Sequence, residues 1–146
     1  MAIFKEYLFL VPLVVFLIAQ TLKFLIHLVN GELDFGVYLK SGGMPSAHSA
    51  VVTSLTVAVG MLLGVKSFLF SVVVVFAAVV LYDAMNVRRE SGNHARTLNQ
   101  LLAKTLHSKL REFGQLKENV GHQPHEVAVG VFLGGFITWA LLQGLV

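Results

Sequence analysis

Four stretches of the chain are nearly unbroken runs of apolar side chains, at residues 7–29, 45–65, 67–86 and 125–146, and polar segments separate them. Each approaches or exceeds the roughly 20 residues that a helix needs to cross a bilayer. The pattern therefore predicts four transmembrane helices. The second and third meet at Gly64-Val65-Lys66-Ser67, a turn short enough to make them a helical hairpin. The first run has the position of a signal peptide, but Gln20, Lys23 and His27 interrupt its second half and no small-x-small cleavage site follows. It reads as a mature helix.

The loop 87–124 has a periodicity of its own. Leu98, Leu101, Leu102, Thr105, Leu106, Leu110, Phe113 and Leu116 recur at three- and four-residue steps, with Lys104, Lys109 and Arg111 between them. This predicts an amphipathic helix of about six turns, broken near Gly114. Such a helix suits the membrane surface, a cover over a site, or a second subunit.

Composition supports the membrane reading. Of 146 residues, 55% are hydrophobic and 13% charged, and the mean hydropathy is +0.74. Charge in soluble domains usually approaches a quarter. The fold class expected is an all-α integral membrane protein, one membrane domain over residues 1–146. With no cysteine, disulfides and thiolate metal sites are excluded. The net charge of +3 is modest, and no nucleic-acid partner is expected. Its distribution says more than its total. Four spans place Lys23, Lys40, Arg88, Arg89, Arg96, Lys104, Lys109, Arg111 and Lys117 on one side, against Lys5 and Lys66 on the other. The excess predicts that the first side is cytoplasmic and that both termini face outward.

The groups able to do chemistry lie at the helix ends on that same side. Residues 41–50 read Ser-Gly-Gly-Met-Pro-Ser-Ala-His-Ser-Ala, a glycine turn running through Pro45 into an apolar helix. Proline marks a first helical turn, and the first amides of a helix lack internal partners. The glycine-rich entry, the bare helix N-terminus and the titratable His48 thus together suit a phosphate. Gln20, Lys23 and His27 share one face of the first helix. A lysine inside an apolar span needs a partner, a polar cavity or a route to the surface. The third helix ends in Tyr82-Asp83-Ala84-Met85-Asn86-Val87-Arg88-Arg89. Arg88 or Arg89 offers a planar fork for phosphate, and Asp83 can orient it or simply anchor the helix end. The fourth begins Gly121-His122-Gln123-Pro124-His125-Glu126. Glu126 can reach one nitrogen of His122 and leave the other for chemistry, or it can serve only the positive helix end. A zinc site at His122, His125 and Glu126 lacks an obvious further ligand unless His48 or Asp83 joins. No metal or other cofactor is expected. His94 and His107 read as solvated loop residues.

The order Lys, Pro-Ser-x-His, Arg, His-x-x-x-acid resembles the type 2 phosphatidic acid phosphatase superfamily, which includes vanadium haloperoxidases. The strings at 41–49, 82–89 and 121–127 are similar to those of its small divergent bacterial and plant branch, over essentially the whole chain. The resemblance implies His122 as the nucleophile of a phosphohistidine, Glu126 as its orienter and His48 as the proton donor to the leaving group. Ser46, Ala47, Lys23 and Arg88 or Arg89 would bind the phosphoryl oxygens. Two elements of the superfamily pattern are absent: an Arg-Pro after the lysine, and an arginine six residues before the nucleophile, where Leu116 stands.

The function implied is a metal-independent phosphatase acting on a membrane lipid phosphate or diphosphate, such as phosphatidate, phosphatidylglycerophosphate or a polyprenyl diphosphate, in the inner membrane of a bacterium. The alternative is a non-catalytic lipid-phosphate binder or carrier that retains the pocket. With so few helices to bury the polar groups, a homodimer is the expected assembly.

Overall fold

The computed structural model describes residues 7–31, 43–105, 114–118 and 120–143. These residues form α1 (Leu10–Val29), α2 (Ala47–Leu63), α3 (Phe68–Met85), α4 (Val87–Thr105) and α5 (Pro124–Leu142). Among the described residues all regular structure is helical, which suits a membrane. α1, α5 and the apolar part of the stretch Phe68–Lys104 are long and apolar enough to cross one, and α2 is a shorter apolar helix of 17 residues. At 1.5 Å per residue α2 is about 26 Å long.

Local chemistry sets each boundary. Ser46 caps α2 by accepting a hydrogen bond from the Ser49 amide, so the helix starts after Ser46 and Pro45 lies outside it. Gly64, with φ of 84°, closes α2. The Ser67 hydroxyl oxygen then accepts from the Phe70 amide and opens α3. Pro124 occupies the first turn of α5, where its missing N–H costs nothing.

The helix read from the spacing between Leu98 and Leu116 is present over its first part and starts earlier than that spacing showed. α4 begins at Val87, directly after α3, and is followed as far as Thr105; residues 106–113 lie outside the described ones. Residues 114–118 are not helical. Gly114 has φ of 67°, and the Leu116 N–H donates to Asn99 Oδ1 (3.0 Å) instead of a carbonyl one turn earlier.

α2 is the central helix, packed most extensively on α5 and then on α3 and α1. Lipid is as apolar as leucine, so close packing and hydrogen bonds hold such helices together. Small residues make the α2–α5 seam. A Cβ on Gly130 would lie 2.5 Å from the Ser46 carbonyl oxygen, and one on Gly134 would overlap the Ala50 carbonyl. One turn on, Thr138 Oγ1 lies 2.6 Å from Ser54 Oγ, fully buried. Val15, Ala19, Ala47 and Ala50 form one core layer, and Val11, Ala58 and Leu142 form another at the far end. Gln20, Lys23, Ser46, Ser49, Ser54 and Thr138 are all buried within one copy of the chain. Large apolar side chains face outward instead, among them Val75, Phe76 and Val79 of α3 and Phe132 and Phe136 of α5.

The seam yields a paired test. Gly134→Ala should lower the melting temperature in detergent, by an overpacking cost of about 1–3 kcal/mol. Gly135→Ala, whose Cβ would meet only Thr53 Cγ2 at 3.8 Å, should leave it unchanged or slightly raised, because alanine is the better helix former. Equal shifts would show that the seam is not closely packed.

Candidate functional site

The C-terminal ends of α1 and α3 and the N-terminal ends of α2 and α5 meet at one end of the bundle. Three backbone contacts bring them together. The Ser46 N–H donates to the Glu126 carbonyl (3.2 Å), tying α2 to α5, and the His122 N–H donates to the Ala84 carbonyl (3.0 Å), tying the start of α5 to α3. Gly121 makes the third. Its φ is 88°, and a Cβ there would lie 2.5 Å from the Arg89 amide nitrogen. Only glycine fits this crossing of α4.

His122 is buried, and its ring is held from one side. Glu126 Oε2 lies 3.1 Å from His122 Nδ1 and also accepts from the Gln123 N–H at 3.0 Å. One carboxylate oxygen thus caps α5 and fixes the imidazole. With the Nδ1 proton donated to Glu126, Nε2 carries the lone pair. Burial pushes the His122 pKa below its usual value of 6.5. The hydrogen bond and charge of Glu126 oppose this in part, and Lys23 and Arg88 add to it.

Lys23 is buried on α1. Its stem occupies the space left by Gly43, where a Cβ would lie 3.1 Å from Lys23 Cε and 3.9 Å from His27 Nε2, at φ of 83°. The glycine turn therefore makes room for the lysine. Glu126 and Lys117 are near enough to act on the Lys23 charge.

His48 is exposed on the first turn of α2. Arg88, His122, Lys23 and Asp83 all lie near enough to act on its charge. Ser46, by contrast, is fully buried, and its hydroxyl accepts from both the amide and the hydroxyl of Ser49. Its side chain is engaged as a cap. The amides of Ala47 and His48 remain in the first turn, where a helix supplies no internal acceptor.

Arg88 Nε donates to Asp83 Oδ2 at 2.6 Å, and the two side chains are 45% and 36% exposed. So exposed a pair adds little stability, and its consequence is to direct the rest of the guanidinium. Arg88 acts electrostatically on both histidines. Arg89 is exposed and touches the site through its backbone at Gly121. His94 and His125 are exposed, and His107 lies outside the described residues. Among the described residues no group of three or more His, Asp or Glu side chains is placed to hold a metal ion.

Sequence reasoning missed a clasp between α4 and the segment before His122. Asn99 Nδ2 donates to the Leu116 carbonyl (2.9 Å) and to Glu118 Oε1 (2.8 Å), and Arg96 Nε lies 3.3 Å from Glu118 Oε2. A Cβ on Gly92 would fall 2.5 Å from the Glu118 carbonyl oxygen. Gly92, Arg96 and Asn99 lie at steps of four and three along one face of α4. That small-and-polar stripe was the available signal.

The position of Glu126 is open to direct titration. Followed by NMR, His122 should titrate below the usual histidine value in the wild type and lower still in Glu126→Gln, which removes an opposing charge. A rise in that variant would show that the carboxylate does not act on this ring.

The Divergent PAP2 family matches residues 4–137 of the chain. An uncharacterized membrane protein of Bacillus subtilis (strain 168), YuiD, is 38% identical over 135 residues, covering 84% of this chain and 85% of its own length. No solved structure matches. With its four apolar helices and a buried histidine paired with a glutamate among basic side chains, the chain belongs to the Divergent PAP2 family.

Proposed function

We propose that the protein is a membrane phosphatase that hydrolyses a lipid phosphate or diphosphate through a phosphohistidine. One observation carries the reading: the buried His122 is held through Nδ1 by Glu126, at the bundle end where Lys23 and Arg88 act on its charge and where His122 in turn acts on that of His48. This is the geometry of a nucleophile with its orienter, surrounded by the cations that a transferring phosphoryl group requires.

In this mechanism Nε2 of His122 attacks phosphorus, and a P–N bond forms as the P–O bond to the leaving group breaks. The leaving oxygen takes its proton from His48. Charge that develops on the imidazole is shared with Glu126 through the Nδ1 proton. Water then attacks the phosphohistidine, loses its proton to His48 and releases phosphate with neutral His122. Lys23, Arg88 and the amides of Ala47 and His48 stabilise the phosphoryl oxygens throughout. The lowered pKa of His122 keeps its lone pair available at neutral pH.

The absence of an arginine six residues before His122 favours a second reading, a binder or carrier of lipid phosphate without turnover. Phosphate release from phosphatidate or a polyprenyl diphosphate by purified protein separates the two. The phosphatase reading expects His122→Ala and His48→Ala each to lose at least about 100-fold in rate. Binding of lipid phosphate with no release, in wild type and variants alike, would instead establish the second reading.

We further propose that the site faces the cytoplasm of a bacterium, as the distribution of lysine and arginine suggests. The chain has no cysteine, so single cysteines report sidedness cleanly. An impermeant thiol reagent applied to intact cells should label Val65→Cys, in the α2–α3 turn, and spare Ser91→Cys on α4. The reverse pattern would place the site outside.

A further inference from the structure

His122 stands outside α5, before its cap Gln123, so no helical hydrogen-bond ladder sets its main chain. Glu126 aligns its ring and the Ala84 carbonyl holds its N–H, but the chain that delivers it arrives along α4. Asn99 grips both backbone groups of Leu116, accepting from the N–H through Oδ1 at 3.0 Å and donating to the carbonyl through Nδ2 at 2.9 Å. A neighbouring strand would do the same. Asn99 Nδ2 also donates to Glu118 Oε1 at 2.8 Å, and Arg96 Nε donates to Glu118 Oε2 at 3.3 Å.

Little slack separates this clasp from His122. The Val120 N–H donates to the Glu118 carbonyl at 2.9 Å. Gly92 lets both carbonyls lie against α4, where a Cβ would fall 2.5 Å from that of Glu118 and 3.0 Å from that of Val120. Gly121 then packs on the Arg89 amide, and His122 bonds to Ala84. The path into the site is therefore fixed from outside, by α3 and α4. A carboxamide offers an acceptor and a donor together, which is what one residue's N–H and C=O require. The clasp is largely exposed: Leu116 is 44% exposed and the Arg96 and Glu118 side chains are open to solvent. Such surface bonds add little to stability. What they set is the course of the chain.

We infer that Asn99 is a positioning residue, which through Leu116 and Glu118 sets where His122 presents Nε2 to the phosphoryl group. The inference rests on the phosphatase reading above. A nucleophile displaced by about 1 Å loses about 100-fold in rate. Lys23 and the first amides of α2 lie on other elements, so loss of the clasp should reduce turnover more than substrate binding.

Two measurements on the full chain test this: hydrolysis of phosphatidate or a polyprenyl diphosphate in mixed micelles, and NMR titration of His122. Asn99→Ala should lower kcat about tenfold or more and leave KM within about twofold. It should also move the His122 titration up toward 6.5, as the burial that lowers it is relaxed. Asn99→Asp keeps the acceptor for the Leu116 N–H but sets a second carboxylate against Glu118, and should be at least as slow. Adding Glu118→Gln to Asn99→Asp returns a donor to the pair and should recover part of kcat, which a merely structural role would not produce. Gln100→Ala, exposed on α4, should behave as wild type. Unchanged turnover and an unchanged His122 titration in Asn99→Ala, with only a lower melting temperature, overturn the inference and leave the proposed function standing. If the wild type releases no phosphate, the phosphatase reading falls, and the His122 titration alone decides: a rise in Asn99→Ala supports positioning by Asn99, and no change overturns it.

Discussion

Every feature of the site depends on how closely α5 approaches α2. In a bilayer nothing drives apolar helices out of solvent toward one another, so contact distance decides whether they associate. Gly130 and Gly134 allow α5 to lie directly on the Ser46 and Ala50 carbonyls. The buried hydroxyl pair of Thr138 and Ser54 continues the same seam. Such hydrogen bonds contribute only about 0.6 kcal/mol on average in membranes, so backbone proximity is the larger effect. That proximity lets the Ser46 amide reach the Glu126 carbonyl, and the register of this bond places the start of α5 beside the start of α2.

The polar end of the bundle economises on groups. Glu126 caps its own helix and orients His122 with one oxygen atom. Ser46 ends a turn, opens α2 and joins it to α5. Gly43 both turns the chain and accommodates the Lys23 stem. Each dual role puts a charged or titratable side chain under a constraint that already serves folding. This is how a short chain can keep a site organised with helices of about 20 residues and little else. α4 adds the remaining constraint, because its polar stripe fixes the segment that leads into His122.

The apolar helices were legible because lipid imposes length and hydrophobicity on any helix that crosses it, and the run boundaries at 7–29, 45–65, 67–86 and 125–146 fall within a few residues of the helix ends observed. The pairing of His122 with Glu126 was legible for a similar reason: a separation of four residues at a helix start leaves few relative positions. The leucine spacing found the helical stretch 98–105, but it could not show that α4 begins at Val87 directly after α3 or that Asn99 would take over the backbone groups of Leu116. Arg88 and Arg89 were equivalent in the sequence. The turn at Asn86 and the crossing at Gly121 bring the charge of Arg88 to bear on the histidines and leave Arg89 in contact through its backbone.

The sequence by itself therefore determined the class of protein, the number of apolar helices and which helix ends carry chemistry. These follow from one-dimensional constraints, namely the thickness of a bilayer and the periodicity of a helix. Tertiary structure alone decided which groups act together. Lys23 of α1 meets Gly43 in the turn before α2, and Asn99 of α4 grips the backbone of Leu116 and the carboxylate of Glu118. Contacts between residues distant in the chain depend on crossing distances and registers, and a pair of glycines sets these without marking in the sequence what they face.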